Sequence, residues 1–559
     1  MLCLMLGMAG CGGWRYKPPE PLPDDRAPIP VPSERSYNII ADLFDKQITR
    51  QIEESFDLSR QIRNATGTRK EAFNVDAFGE VPNSSWFTNR NAANPMSIEE
   101  ITRGPDTGDG PDAAGPWTVV RAKAEGVTPG FTIRDSRSDM YLIKFDPVGY
   151  GELVTGAEVI STKLFHAAGY FVPENYIVYF HPGILELGEK VKFTDQKGRK
   201  RFMTESDLNE IIDRIESLPD GSIRALASKY LRGRPLGPFK YHGVRRDDPN
   251  DIVPHQHRRE LRGLRVMAAW VNHVDTKSGN SLDMYVGDDG AGSIRHYLID
   301  FGTTLGSAAH GPAQPKTGHE NQIDPHEMLL NLMTLGLYVR PYEKLGPSVH
   351  LSVGIWESEL FEPGGYKFSV PNPAFDYCTD LDGYWGAKLV MSFTDRQLAS
   401  VVGEGRYSDP AAAAYILEVL KERRDKIGRY WFGRVNPLDR FSIAGSGSAG
   451  RRLCFDDLAV ETGLEKSGGT RYRYELRVNG ELVLRSEEFT GTCIPLPGLD
   501  RRRRILETVR SGDGGEPQWE FTVRTFRESV NRWSRSVRVY LETDEDTDQF
   551  EIIGVQREG

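Results

Sequence analysis

The sequence predicts an α+β protein of several domains, and three observations carry that expectation. Short apolar strand runs begin at Trp117, a helix-period segment follows Gly151, and two-residue alternation takes over beyond about residue 453. At 559 residues the chain has room for roughly two to four separately cored domains. A hydrophobic share of 38% against 27% charged is that of an ordinary globular protein.

Charge and hydropathy remove some function classes. After the first residues no stretch approaches the ~20 apolar residues of a membrane-spanning helix. A formal charge of -10 disfavours a nucleic-acid partner, whose phosphates must be met by clustered Lys and Arg. Arg501 to Arg504 form such a cluster, but the acidic stretch Glu542 to Asp548 shares their region, and the cluster reads as a solvated loop.

The elements follow in order. A short apolar run ends in Ala9-Gly10-Cys11, which resembles the lipobox of bacterial lipoproteins. The resemblance implies that residues 1–11 are a signal, that Cys11 takes a lipid, and that the chain is exported and anchored to the cell envelope. Residues 12–35 are Gly- and Pro-rich and suit a flexible tether. Residues 36–115 form an N-terminal extension, with a helix expected from Tyr37 to about Arg63 on the spacing of Ile40, Leu43, Ile48 and Ile52. Strands are expected at Trp117 to Ala124, Phe131 to Asp135, Met140 to Phe145 and Ala225 to Leu231. Helices are expected at Gly151 to Ala168, closed by Gly169, and at Arg258 to Asn272. A hairpin of Ser281 to Val286 and Ser293 to Ile299 comes next. Two more helices start at Asp324-Pro325 and Asp409-Pro410, each an N-cap followed by proline. The Gly/Ser-rich Ala444 to Gly450 marks a linker, placed at 441–452. Residues 453–559 read as a β-sandwich-like domain with a two-residue hairpin turn at Asn479-Gly480. Cys454 and Cys493 lie in it and can pair in an oxidising compartment, leaving Cys378 single.

Four places carry chemistry. Lys144 lies inside the apolar run Tyr141-Leu-Ile-Lys-Phe145 and needs a partner. On the next helix Val154, Glu158, Ser161 and Phe165 share one face, so Glu158 sits among core-facing residues where an unpaired carboxylate is costly. A Lys144–Glu158 pair satisfies both and leaves the ammonium aimed at nucleotide phosphates. His273-Val-Asp275-Thr-Lys277-Ser-Gly-Asn280 carries an aspartate to orient an acceptor hydroxyl, a lysine for the γ-phosphate and an asparagine for a metal. Leu298-Ile-Asp300-Phe-Gly302 ends the hairpin and returns Asp300 beside Asn280, as two ligands of one Mg²⁺ must be. Gly126-Val-Thr-Pro-Gly130 lies where a phosphate-covering loop belongs, and reads equally as a tight turn.

With these residues in place the chain resembles the atypical kinases related to HipA, the phosphatidylinositol kinases and the CotH-type secreted kinases. The nearest local likeness is Glu158 … Ala168-Gly169-Tyr-Phe-Val172-Pro173, similar to the HipA pattern. It implies a bilobal, protein-kinase-like core over 116–440, with an N-lobe of about 116–230, a C-lobe of about 231–440 and ATP between them. It further implies Mg²⁺ (or Mn²⁺), Lys144, Glu158, Gly126 and Gly130 at the nucleotide, Asp275 and Lys277 in catalysis, and Asn280 and Asp300 on the metal. The function so implied is phosphotransfer to a protein or glycan hydroxyl. A pseudokinase scaffold whose C-terminal domain holds a partner and an AMP transferase on the same fold stay open. His255 and His257 have metal-ligand spacing but no third ligand nearby, and read as capping or surface residues.

Overall fold

The computed structural model describes residues 15–36, 70–123, 130–194, 199–322, 324–445, 450–509, 517–543 and 549–559. Cys11 and the signal, the helix expected from Tyr37, Gly126 and the middle of the expected linker fall outside them. The chain divides into two compact units, one of 23–74 and 82–427, the other of 1–22, 75–81 and 428–559.

The first unit is mixed α and β. Helix α1 (Ile98–Arg103) precedes strands β1 (Trp117–Lys123), β2 (Gly130–Arg134) and β3 (Met140–Lys144). Helix α2 (Leu153–Ala168), β4 (Asn175–Phe180), β5 (Leu185–Thr194), β6 (Lys200–Phe202), α3 (Glu205–Ile212) and β7 (Ile223–Lys229) follow. The seven strands form one sheet in the order β4-β7-β3-β2-β1-β5-β6, in which only the β1–β5 neighbours run parallel. Alternation sorts the side chains: Phe131, Ile133, Tyr141, Ile143, Ala225 and Ala227 join Leu208 and Ile211 of α3 in one core. On the opposite face Leu226 packs with Val159 of α2 and Ile177. Leu142 and Lys144 alternate onto that same face.

Helix α4 (Arg259–Trp270) then leads into an antiparallel sheet of β8 (Arg234–Gly237), β9 (Ser281–Val286) and β10 (Ser293–Leu298), in the order β10-β9-β8. A two-residue pair, β11 (Ser307–Ala308) and β12 (Gly311–Pro312), comes directly after. Helices α5 (Pro325–Met333), α6 (Pro373–Asp376), α7 (Asp380–Met391), α8 (Asp395–Gly403) and α9 (Pro410–Phe432) complete the segment. Asp324 caps α5, accepting from the Glu327 N–H. The His255/His257 reading is corrected: both are buried, His255 Nε2 lies 2.7 Å from Asp251, and His257 Nδ1 lies 2.6 Å from Arg262 Nη2.

The second unit is mostly β. Strands β13 (Leu438–Ala444), β14 (Arg452–Asp457) and β17 (Cys493–Pro495) form one sheet. A second holds β15 (Thr470–Val478), β16 (Glu481–Arg485), β18 (Trp519–Arg527), β19 (Arg532–Trp533), β20 (Val537–Thr543) and β21 (Phe550–Arg557). Leu453, Phe455 and Ile494 of the first sheet share a core with Val478, Trp519, Phe521 and Val539 of the second. Asn479-Gly480 turns β15 into β16, with φ of 49° and 84°. Helices α10 (Leu458–Glu461) and α11 (Leu499–Thr508) complete the unit. Two expectations change here. Ala444 ends β13 and Gly450 precedes β14, so this stretch joins two paired strands rather than two domains. Arg501 to Arg504 lie on α11, not in a loop, and Arg502 is buried with its guanidinium 4.9 Å from the Phe550 ring centre.

Candidate active site

Lys144 ends β3 on the face turned toward α2, and its ammonium meets two carboxylates. Nζ lies 2.9 and 3.1 Å from the two oxygens of Glu158 and 2.9 Å from Asp300 Oδ1. Glu158 is 1% exposed, whereas the Asp300 side chain keeps 52% of its surface. Burial works against the Lys144 charge, but Asp300 and Glu158 together hold its pKa above the ordinary lysine value. Burial drives the Glu158 carboxyl upward against the pull of Lys144. Asp300 is held below its usual range by Lys144.

What places α2 so near β3 is Asp146, two residues past the lysine. Its Oδ1 accepts from the Val154 and Thr155 N–H groups, and its Oδ2 from the Glu152 N–H and the Thr155 hydroxyl. The carboxylate thus caps the first turn from outside the helix, answering N–H groups that have no intrahelical acceptor. Glu152 stands before the helix at φ 71° and accepts from the Ser408 N–H instead.

The face of α2 that carries Glu158 meets the segment after β10. Ser161 and Thr304 share a hydrogen bond of 2.7 Å, and Phe165 packs on Phe301 at 4.8 Å between ring centres. His273 completes the aromatic group, 5.4 Å from Phe301 and 6.1 Å from Phe165. Burial lowers the His273 pKa to about 4, so its ring is neutral at ordinary pH and behaves as packing. Gly302 leaves room here, because a Cβ on it would lie 2.9 Å from Val154 Cγ1 and 3.2 Å from Glu158 Oε2.

Asp275, Lys277 and Asn280 form the other half. Asp275 Oδ2 accepts from Lys277 Nζ at 2.8 Å and from Asn280 Nδ2 at 3.0 Å, with Asp275 25% exposed. The Ile299 N–H donates to the Asn280 carbonyl at 3.1 Å, which ties the start of β9 to the end of β10 and sets Asp300 beside Asn280. Asp300 takes φ 65°, a left-handed value that turns the chain sharply after Ile299. Asp300 and Asn280 supply hard oxygen donors of the kind Mg²⁺ or Mn²⁺ takes. Among the described residues no group of three His, Cys, Asp or Glu gathers as a metal site, so water and nucleotide oxygens must complete any coordination here.

A cavity of about 920 Å³ runs along the sheet face on the Lys144 side, lined by Gly130, Thr132, Leu142, Tyr230, Arg121 and Lys192 among others. Gly130 sits opposite Lys144 in the β2–β3 register, and a Cβ there would lie 3.0 Å from the Ile143 carbonyl. The structure therefore brings together Lys144, Glu158 and Asp300 by direct contact, Asp275, Lys277 and Asn280 by direct contact, and the two groups through Ile299. Sequence reasoning missed the capping role of Asp146, the Thr304 contact and the packing of Phe165, Phe301 and His273 on one another.

No family model and no curated protein matches the chain. Solved structures similar to it include the proinflammatory kinase CtkA of Helicobacter pylori, at 11% identity and a TM-score of 0.27, covering 54% of this chain and 91% of that one. The Golgi casein kinase is similar at 11% identity and 0.25, over 73% and 95%. The same kinase with Mn/ADP bound gives 11% and 0.26, over 72% and 94%. The coverage is broad but the TM-scores are low, and the functional reading rests on the geometry alone.

Proposed function

We propose that the first unit is a two-lobed, kinase-like phosphotransferase that uses Mg-ATP, or Mn-ATP, on a protein or glycan hydroxyl. The observation that carries this reading is the joint arrangement of Lys144, Glu158 and Asp300 with Asp275, Lys277 and Asn280. Each of the six has a polar partner in the set, and coincidence in one motif does not produce contacts between separate motifs.

Each residue has a role its contacts support. Glu158, fixed on α2, holds Lys144 at the end of β3, where its ammonium neutralises phosphate oxygens. The cavity beside Leu142, Thr132 and Tyr230 offers a flat, mainly apolar wall for a nucleobase. Asp300 and Asn280 hold the metal. A bound metal–nucleotide supplies the γ-phosphoryl group and the charge that balances it. Asp275, partly exposed, takes the proton of the acceptor hydroxyl as its oxygen attacks phosphorus and the nucleoside diphosphate leaves. Lys277, already on Asp275, offsets charge on the transferring group. The lipid anchor and export implied by Cys11 belong to this proposal, as does a β-sandwich for the second unit.

Calorimetry of Mg-ATP binding tests the assignment without a known acceptor. Wild type binds in a metal-dependent way, Asp300→Ala loses the metal dependence, and Asp275→Asn binds nearly as wild type. If wild type binds no nucleotide with either metal, the enzyme reading fails and a scaffold role replaces it. An addition of AMP to target proteins, seen by mass spectrometry, turns the reading to nucleotidyl transfer.

A further inference from the structure

Helix α2 is held from the side away from Glu158 as well. Gly156, Ile160 and Lys163 recur at helical spacing and lie on the face opposite Glu158, Ser161 and Phe165. Residues Glu404 to Ser408, between α8 and α9, run along that outer face. Glu404 pairs with Lys163 at 3.4 Å, and the Ser408 N–H donates to Glu152 at 2.9 Å. Between these ends Tyr407 stands against Gly156, where a Cβ would lie 2.5 Å from its hydroxyl oxygen. A Cβ on Gly405 would lie 2.9 Å from Ile160 Cδ1. Packing this close leaves α2 no room to move outward.

One buried cation joins this segment to the start of α2. Arg224 of β7 is 7% exposed, and each of its three nitrogens has an acceptor. Nε donates to the Thr155 hydroxyl at 3.0 Å and lies 3.9 Å from the Asp146 carboxylate. Nη2 donates to the Gly405 carbonyl at 2.7 Å, and Nη1 to the Arg406 carbonyl at 2.8 Å. Nη1 also donates to the Tyr179 hydroxyl at 2.8 Å. The planar fork of a guanidinium fixes angles as well as distances, which a flexible ammonium does not. Arg224 therefore couples the first turn of α2, the carboxylate that caps it and the segment on its outer face.

We propose that Arg224 is a positioning residue of the nucleotide site, acting with Glu404 to Ser408 to hold α2 where Glu158 meets Lys144. It acts through the helix, since its hydrogen bonds go to Thr155, Tyr179, Gly405 and Arg406. An outward shift of α2 would part Glu158 from Lys144 and leave the ammonium unaimed, and the brace closes off that shift. The phosphate clamp is thus assembled before nucleotide arrives, in the unmodified chain and without a partner to bring α2 inward. This role rests on the phosphotransferase reading; the brace itself is a property of the fold.

Calorimetry with Mg-ATP and with adenosine, which lacks phosphates, tests this on the full purified chain, below the unfolding transition of every variant. Arg224→Met removes the fork, and Gly156→Ala drives a methyl into Tyr407 from the far face of α2. Each is expected to weaken Mg-ATP binding about tenfold and to leave adenosine affinity unchanged, because only the phosphates are held through Lys144. Tyr407→Leu removes the atoms nearest the new methyl, so Gly156→Ala with Tyr407→Leu recovers Mg-ATP affinity to within about twofold of wild type. If Arg224→Met does not fold, Gly156→Ala and its rescue decide. Folded variants that bind Mg-ATP as wild type does overturn the positioning role and leave Arg224 a residue of stability alone. So does an equal loss for adenosine, which marks a general disturbance of the cleft. Wild type that binds no nucleotide ends the phosphotransferase reading and this role with it, whereas the other two results leave that reading standing.

Discussion

Lys144 answers two carboxylates of different standing, and that difference sets what its removal costs. Glu158 is closed off from water, while Asp300 is half exposed and can be resolvated. Lys144→Ala therefore strands Glu158, and stability falls by about 3 kcal/mol, the usual cost of breaking a buried pair from one side. Lys144→Met with Glu158→Leu removes both charges and recovers most of that loss. Urea midpoints of the two variants check this; equal midpoints would mean that the pair carries no stability. Asp275 is different in kind, since its carboxylate is partly solvated and accepts from Lys277 and Asn280 of its own loop. Asp275→Asn leaves folding intact and cuts turnover about a hundredfold or more, as expected for loss of a proton acceptor. The measurement is single-turnover phosphotransfer once an acceptor is found. Lys144 and Glu158 were legible beforehand because a lysine in an apolar strand and a glutamate on an apolar helix face each demand a partner, and Asp275 and Asp300 through the spacing of their motifs. Asp146 was not, because nothing local shows that a carboxylate reaches eight and nine residues ahead to cap a helix.

At the scale of elements, α2 and the β9–β10 hairpin are held together by Ser161–Thr304 and by the Phe165–Phe301–His273 group. Gly302→Val tests this contact, because its Cβ crowds Val154 and Glu158 at their closest approach to the turn. The variant is expected to weaken Mg-ATP binding with secondary structure unchanged; unaltered affinity would show that α2 is not positioned from this side. In the second unit Cys454 and Cys493 form a disulfide between the paired strands β14 and β17. The bridge closes a loop of 39 residues, for which the chain-entropy relation gives about 4 kcal/mol. Reduction should lower the thermal midpoint of this unit, and an unchanged midpoint would contradict the assignment. Strand ends matched the alternation within a residue or two, since each run is bounded by turn residues. Strands β4, β5 and β6 were not expected at all, and which edge β5 and β6 join was not legible either: a strand's own pattern says which faces it has, not which edge it joins.

For the whole molecule the two units have their own cores, but the sequence cannot be cut between them at the Gly/Ser-rich stretch. Proteolysis between Ala444 and Gly450 should nick the chain without releasing a fragment under native conditions, because β13 and β14 on either side are hydrogen-bonded. Release of a free fragment of residues 451–559 from the native protein would overturn that. Among the described residues no helix is long and apolar enough to cross a membrane; a lipid anchor at Cys11 is a separate proposal. Cys11→Ser is expected to move the protein from the membrane to the soluble fraction. Wild type found soluble in fractionated cells would end the anchor proposal.

By itself the sequence determined the α+β composition, the order of strands and helices around Lys144, and the identity of the six polar residues. The elements follow from periodicity, Lys144 and Glu158 from the cost of burying unpaired charge, and Asp275, Lys277, Asn280 and Asp300 from the spacing of their motifs, all of which are local. Tertiary structure alone decided that Lys144 meets Asp300 as well as Glu158, and that residues 75–81 join the second unit. It also decided that the Arg423 guanidinium is buried 3.9 Å from the Phe361 ring centre. Such outcomes depend on which surfaces meet across long stretches of chain, and no spacing within one segment encodes them.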